Sequence, residues 1–251
     1  MSGLLSALQF LTIFPVKAKI VNDKRIADAL AYFPVAGFLI ALVLLAGNSF
    51  FGAFNLEGFA LNTILVVMLV VINGGLHLDG LSDTFDGLMG AQNKDEKLRI
   101  MRDPQIGAMG AIGIVCVLLL KIAFLTAVSQ NLKPLAIILM CVISRWSMVY
   151  SINSFPYARQ NGKAKIFIDN ISKTIFITAT IVCVVFVYAV WQLNGLLILA
   201  LTAGMANLFS NFISRKIGGI TGDTLGALNE LSEVFILLIF CIMERSYLWK
   251  I

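Results

Sequence analysis

Of the 251 residues, 59% are hydrophobic and 13% charged, whereas a soluble domain carries about 25% charged residues. The mean hydropathy of +0.91 excludes an ordinary soluble enzyme and points to a polytopic helical membrane protein. The net charge of +5 is spread over several short loops, which argues against a nucleic-acid partner and suits an anionic lipid leaflet and an anionic substrate.

In chain order, residues 4–14 are apolar but too short to span and lack a preceding basic region, so they read as an interfacial or re-entrant piece. Seven spans are then expected, at 31–51, 59–75, 109–128, 134–152, 174–191, 195–213 and 234–249. Within lipid the backbone must bond to itself, which leaves helices for all of them. Tyr32-Phe33-Pro34-Val35-Ala36-Gly37 opens the first, its Pro and Gly marking a tight helix start. No linker or soluble domain interrupts the pattern, so the expectation is one all-α, polytopic helical bundle over 1–251. The four cysteines, Cys116, Cys141, Cys183 and Cys241, lie in apolar runs and read as small buried hydrophobes.

Basic residues alternate between connections. Lys17, Lys19, Lys24 and Arg25 precede the first span; Lys94, Lys97, Arg99 and Arg102 follow the second. Arg159, Lys163, Lys165 and Lys173 follow the fourth, and Arg215 and Lys216 the sixth. The intervening connections, 52–58, 129–133 and 192–194, hold a single basic residue, Lys133. The bias places the first set in the cytoplasm, while Arg245 and Lys250 leave the C-terminal end ambiguous.

Polar chemistry concentrates on that same side. After the second span comes His77-Leu78-Asp79-Gly80-Leu81-Ser82-Asp83-Thr84-Phe85-Asp86-Gly87, with the only histidine. Asp79, Asp83 and Asp86 stand at i, i+4 and i+7, on one helix face, where like charges repel unless a cation joins them. A short helix around Glu96 and Arg99 leads to Arg102 and Asp103, is ended by Pro104, and is followed by Gly107 and Gly110, whose backbone N–H groups suit an anion. The last connection repeats the pattern: Gly218, Gly219 and Gly222, then Asp223 and Glu230 seven residues apart, with Asn229 and Glu233 close by. It is no P-loop, since no strand precedes it and the Gly-Lys-Ser/Thr end is missing. Oxygen ligands without cysteine suit Mg²⁺ or Mn²⁺. A metal on carboxylates with arginines in reach is the equipment of phosphoryl transfer. The candidate arginines are Arg102, Arg145, Arg159 and Arg215; Arg145, inside the fourth span, needs an anion, either an aspartate or the substrate. His77 reads as a structural residue, a general base or a metal ligand.

These segments resemble a known family. The 77–87 segment, Tyr32-Phe33-Pro34-Val35-Ala36-Gly37, Met101-Arg102-Asp103-Pro104-Gln105-Ile106-Gly107 and Gly222-Asp223-Thr224-Leu225-Gly226-Ala227-Leu228-Asn229-Glu230 are similar, in order, to the motifs of cobalamin synthase, the adenosylcobinamide-GDP ribazoletransferase family. The family's Met-Lys-Asp appears here as Met101-Arg102-Asp103, which keeps the charge. The resemblance implies a multi-pass enzyme of the bacterial or archaeal inner membrane, working with the lipid bilayer and other corrinoid-assembly enzymes, its active site facing the cytoplasm. It implies transfer of adenosylcobinamide phosphate from adenosylcobinamide-GDP to α-ribazole or α-ribazole 5′-phosphate, with release of GMP and use of Mg²⁺. The expected roles are catalytic for His77, Asp79, Asp83, Asp86, Arg102 and Asp103, and metal-binding for Asp79, Asp83, Asp86, Asp223 and Glu230. Arg145, Arg159, Arg215, Gly107, Gly222 and Asn229 are expected at the substrate.

Two other readings fit less of the sequence. A CDP-alcohol phosphatidyltransferase needs Ala-Arg shortly after its Asp-Gly, but Asp86-Gly87 is followed by Leu88-Met89-Gly90-Ala91. A cation transporter needs charge near the bilayer midplane, and these aspartates fall at the ends of spans.

Overall fold

The long apolar runs leave the backbone no partner but itself, and the computed structural model, which describes residues 2–16, 26–162 and 164–245, is helical almost throughout. Lys17, Lys19, Lys24, Arg25, Lys163, Lys250 and the end of the last expected span lie outside the described residues, as does the Arg245 side chain.

A first helix, α1 (Ser2–Leu11), packs on a 3₁₀ turn (Asp28–Tyr32) that leads into α2 (Phe33–Gly52), with Pro34 in its first turn. The chain after α1 is pinned where the Ile13 N–H donates to the Ile72 carbonyl (2.8 Å), at the end of α3 (Gly58–Ile72). Then come α4 (Leu76–Gly90), α5 (Lys94–Ile100), α6 (Ala108–Ala127), α7 (Lys133–Ser154), α8 (Lys165–Asn170), α9 (Lys173–Ile217) and α10 (Gly222–Arg245). α7 is the central post: 16 of its 22 residues are buried, which its position between α2, α9 and α10 explains. Its approach to α2 is so close that a Cβ on Gly37 would lie 2.2 Å from the Cys141 carbonyl oxygen.

By length and apolarity five helical segments can cross a membrane: Asp28–Gly52, α6, α7, α9 and Gly222–Glu244. The pair α3–α4, bent by 88°, brings the number to six if it is counted as one span. The 45-residue α9 is not one rod. A straight helix of that length would reach about 68 Å at ~1.5 Å per residue, twice a bilayer core. Trp191 and Gln192 leave helical geometry, Gln192 with φ 46°. Residues on both sides of this break meet adjacent turns of α7: Trp146 Nε1–H donates to Thr180 Oγ1 (3.1 Å), and Tyr150 O–H to Asn207 Oδ1 (3.1 Å). The two arms therefore lie side by side as a hairpin, with the break where the sequence separates the spans at 174–191 and 195–213.

One boundary differs from expectation. The last apolar run, expected at 234–249, is the continuation of a helix that begins at Gly222, so Asp223, Glu230 and Glu233 lie on a long helix rather than a loop. The charges do not break it because Glu230 and Glu233 are neutralised by partners from other helices. None of the four cysteines is in a disulfide; Cys141 and Cys183 are buried, Cys241 is intermediate and Cys116 is exposed.

Candidate active site

The acidic helix α4 owes its place to the turn before it. Gly74 (φ 59°) and Gly75 (φ 69°) are both left-handed, and the Gly75 N–H returns to the Val70 carbonyl (3.0 Å). Consecutive left-handed residues cost any other residue type roughly 1–2 kcal/mol each, so the glycine pair makes the 88° bend between α3 and α4 accessible. The bend lays α4 across the start of α10. There Gly80 meets the Asp223 backbone, where an added Cβ would stand 2.7 Å from its carbonyl oxygen, and Gly226 faces His77 and Gly80 in turn. The start of α10 is fixed by Thr221, whose N–H donates to Thr224 Oγ1 (2.8 Å) while its own Oγ1 accepts from the Thr224 N–H (3.2 Å).

This crossing gathers the carboxylates but gives them different surroundings. Asp79 is exposed at the cavity described below; Asp83 and Asp223 are half-buried. Asp83, on α4, faces the like charges of Asp223 and Asp79. Asp86 is occupied: its two oxygens accept from the N–H groups of Gly107 and Gly110 (2.8 Å each), so the helix start expected to hold a substrate anion is capped by the chain's own carboxylate. A Cβ on either glycine would collide with that carboxylate. Among the described residues, no three or more His, Cys, Asp and Glu side chains form a ready-made metal cage.

Of the two cations, Arg102 comes from the connection after α5 and Arg159 from the loop between α7 and α8. Its Tyr157 and Ile220 form an isolated bridge, closed by Ala158 N–H to the Ile220 carbonyl (2.9 Å) and Ile220 N–H to the Pro156 carbonyl (2.8 Å). That bridge sets Arg159 over the start of α10, where its Nη2 pairs with Asp223 Oδ2 at 2.7 Å. Arg102 is exposed, with Nη2 donating to the Asn161 carbonyl (3.0 Å) rather than pairing with Asp103 or Glu96. Burial raises the Tyr157 phenol above its ordinary range, so it remains a donor at neutral pH.

Two hollows meet here. One, of about 600 Å³, has Asp79, Asp223, His77 and Gly222 at one end and an apolar wall that includes Phe33 and Phe167. The other, of about 770 Å³, lies between α5 and the α7–α8 loop and is polar. Arg102, Tyr157 and Arg159 line both, forming the ridge between them.

Beneath the first hollow lies a fully buried charge network. Lys121 on α6 donates to Glu230 (2.6 Å) and to Glu233, and Arg145 on α7 donates to Glu233 and Ser144. Asn229 donates to Glu233 (3.1 Å), and Asn73, with its amide turned to satisfy both neighbours, donates to the Leu11 carbonyl and accepts from Arg145 (2.9 Å). Two cations and two anions balance. His77, 3% exposed with neither ring nitrogen bonded to protein, sits between this network and the cavity.

The cobalamin-5-phosphate synthase family (CobS) matches residues 3–241. The chain is similar to adenosylcobinamide-GDP ribazoletransferase of Desulforamulus reducens, 36% identical over 97% of this chain and 98% of that protein. It is likewise similar to the proteins of that name from Fusobacterium nucleatum (33%; 99% of this chain, 100% of that protein) and Roseiflexus sp. (40%; 91% and 85%). The chain belongs to the cobalamin-5-phosphate synthase family. No solved structure matches it.

The residues expected at the site thus fall in two layers. Asp79, His77, Arg102, Arg159, Gly222 and Asp223 line the hollow, with Asp83 beside them. Arg145, Asn229 and Glu230, expected at substrate or metal, lie in the buried network instead, because an ion at that depth is bound by the nearest countercharge. Asp103 accepts from the Gln105 N–H (3.0 Å) and shapes its own turn; Arg215 is exposed on the last turn of α9 and lines neither hollow. Gly107 serves Asp86. Lys121 is the residue that reading the sequence overlooked, although a lone lysine within an apolar run signals a buried anionic partner.

Proposed function

We propose that this membrane enzyme transfers the adenosylcobinamide phosphate of adenosylcobinamide-GDP to α-ribazole or its 5′-phosphate, releasing GMP at the hollow where α4 crosses α10. The observation that carries the site is the convergence of Asp79, Asp83 and Asp223 with Arg102 and Arg159, drawn from four separate segments of the chain.

The donor set fits Mg²⁺. All three carboxylates offer hard oxygens, and their like charges repel until a cation joins them. Mg²⁺ takes one or two carboxylates together with substrate phosphates, so a preformed cage is not required. Asp79, Asp83 and Asp223 are the proposed holders; Asp86 orients α4 against α6, and Glu230 balances Lys121. Bound there, the ion would neutralise charge on the diphosphate. Arg102 and Arg159 hold the non-bridging oxygens, and a carboxylate of the cluster accepts the proton of the attacking ribazole hydroxyl. The new bond joins that oxygen to the phosphorus on the cobinamide side, and the bridging oxygen leaves with GMP. His77, with a ring nitrogen free at the cavity, is proposed to position the acceptor.

The same reading sets the topology. With α9 counted as two crossings and α3–α4 as one, the bundle would cross seven times, and the bias of the basic connections supports a cytoplasmic position for both hollows at the inner membrane. Asp83→Asn should abolish GMP release while the protein stays folded in detergent, and EDTA should do the same to wild type. Undiminished turnover in either case would remove the metal site.

A further inference from the structure

The larger hollow has no role in the chemistry assigned so far. Its lining carries Lys94, Arg99, Arg102, Arg159 and Lys165 against one acid, Asp95. The arrangement is built by the fold. Asn93 caps α5 by accepting the Glu96 N–H (2.8 Å), which directs Lys94 and Arg99 to the cleft. Lys94 reaches across to the end of α9, where its Nζ lies 2.5 Å from the position of a Cβ on Gly218, a residue with φ 80°. Two of the cations have only weak local partners: Arg99 stands 4.0 Å from Glu96, and Lys165 stands 3.4 Å from Asp169, both solvent-exposed pairs. Such pairs contribute little and are readily exchanged for a stronger anion.

The two hollows have opposite character across the ridge of Arg102, Tyr157 and Arg159. On one side are the carboxylates. A phosphate monoester released there would face Asp79 and Asp223 once the transfer had ended. On the other side it meets five cations and amide hydrogen-bonding groups from Gln160 and Asn161. When the bridging P–O bond breaks, the leaving oxygen keeps the electron pair and the nucleotide departs with added negative charge. The direction in which that charge is stabilised is toward the basic cleft.

Resting on the reaction proposed above, we infer that this cleft holds the nucleoside monophosphate half of the donor, first as bound substrate and then as leaving product. The donor's diphosphate lies over the ridge. Lys94, Arg99 and Lys165 take the nucleotide's phosphate side, and their ligand chemistry is that of an anionic phosphate ester, which a phospholipid headgroup shares.

The test is equilibrium dialysis of labelled GMP against the full-length protein in uncharged detergent with EDTA, so that metal binding contributes nothing. Wild type should bind GMP and not guanosine. The Lys94→Gln, Lys165→Gln double variant should lose about tenfold or more in affinity, as expected for two lost charge-assisted contacts. The Lys94→Arg, Lys165→Arg variant, which keeps the charges, should retain GMP affinity within about threefold, showing that the loss is not one of folding. No GMP binding by wild type, or an unchanged affinity in the double glutamine variant, would overturn the inference. So would glutamine substitutions that reduce only sedimentation with phosphatidylglycerol vesicles and leave GMP binding intact, since the cleft would then serve a lipid headgroup. Turnover of the wild-type protein is scored separately, so failure here is distinct from failure of the transferase reading.

Discussion

Arg102 and Arg159 stand on the same ridge but are held differently. Arg159 is tied to Asp223, a proposed metal-holding carboxylate, at 2.7 Å, whereas Arg102 is exposed and, among the described residues, donates to a loop carbonyl, which leaves its guanidinium open to a substrate. Arg102→Gln is therefore expected to lower kcat by about 10²–10³-fold, the range for one preorganised donor to the transition state, with a much smaller change in KM. Lysine should rescue partly, as a point charge in place of a planar fork. Steady-state kinetics with both constants inside a factor of about two would reduce Arg102 to a loop-surface residue. The aspartate spacing was readable from sequence because i, i+4 and i+7 describe a helix face without any tertiary knowledge. The differing duties of those aspartates were not. That Asp86 caps α6 depends on Gly107 and Gly110 arriving from more than twenty residues away, and nothing local marks it.

Helices α6, α7 and α10 are coupled through the buried charges, and the coupling is neutral only as a set. Removing Lys121 leaves Glu230 and Glu233 with Arg145 alone. Lys121→Met should destabilise by roughly 3–5 kcal/mol, the cost of breaking a buried pair from one side. Adding Glu230→Gln restores charge balance and should recover much of that loss. Thermal unfolding in detergent measures both, and additive losses in the double variant would show that the pair is not coupled. The α4–α10 crossing has a steric test. Gly80→Ala places a methyl 2.7 Å from the Asp223 carbonyl oxygen and should reduce turnover, with an overpacking cost of about 1–3 kcal/mol. Gly204→Ala, where an added Cβ meets nothing within 4 Å, should be silent in both activity and unfolding. Charge within an apolar run announces that a partner exists but not which one, so the sequence left Arg145 open between an aspartate and the substrate. The partner proved to be Glu233, eighty-eight residues along the chain.

At the scale of the whole molecule, the helical bundle was legible because twenty-residue apolar runs permit little else in lipid. The break at Trp191–Gln192 was also visible, as a polar interruption between two spans, although the structure continues the helix on either side of it. Less visible was the 88° bend that turns α4 across the bundle, since two glycines after an apolar run specify a turn but not its angle. The orientation proposed from the loop charges can be read by labelling single cysteines in intact cells with an impermeant reagent. Replacements at Arg99, Lys165 and Lys216 should be protected, and replacements at Asn55 and Asn131 labelled; Lys97 is unsuitable because it is buried. Labelling at any of the first three would separate the hollows from the cytoplasm.

One site on one chain is proposed to join adenosylcobinamide phosphate to α-ribazole. That proposal is tested most directly by incubating the purified protein in lipid with adenosylcobinamide-GDP and Mg²⁺, with and without α-ribazole, and quantifying GMP and the complete corrinoid together. GMP should appear only when the acceptor is present and in equal amount to the joined product. GMP released without acceptor would make the site a hydrolase, and no GMP with both substrates present would contradict the account.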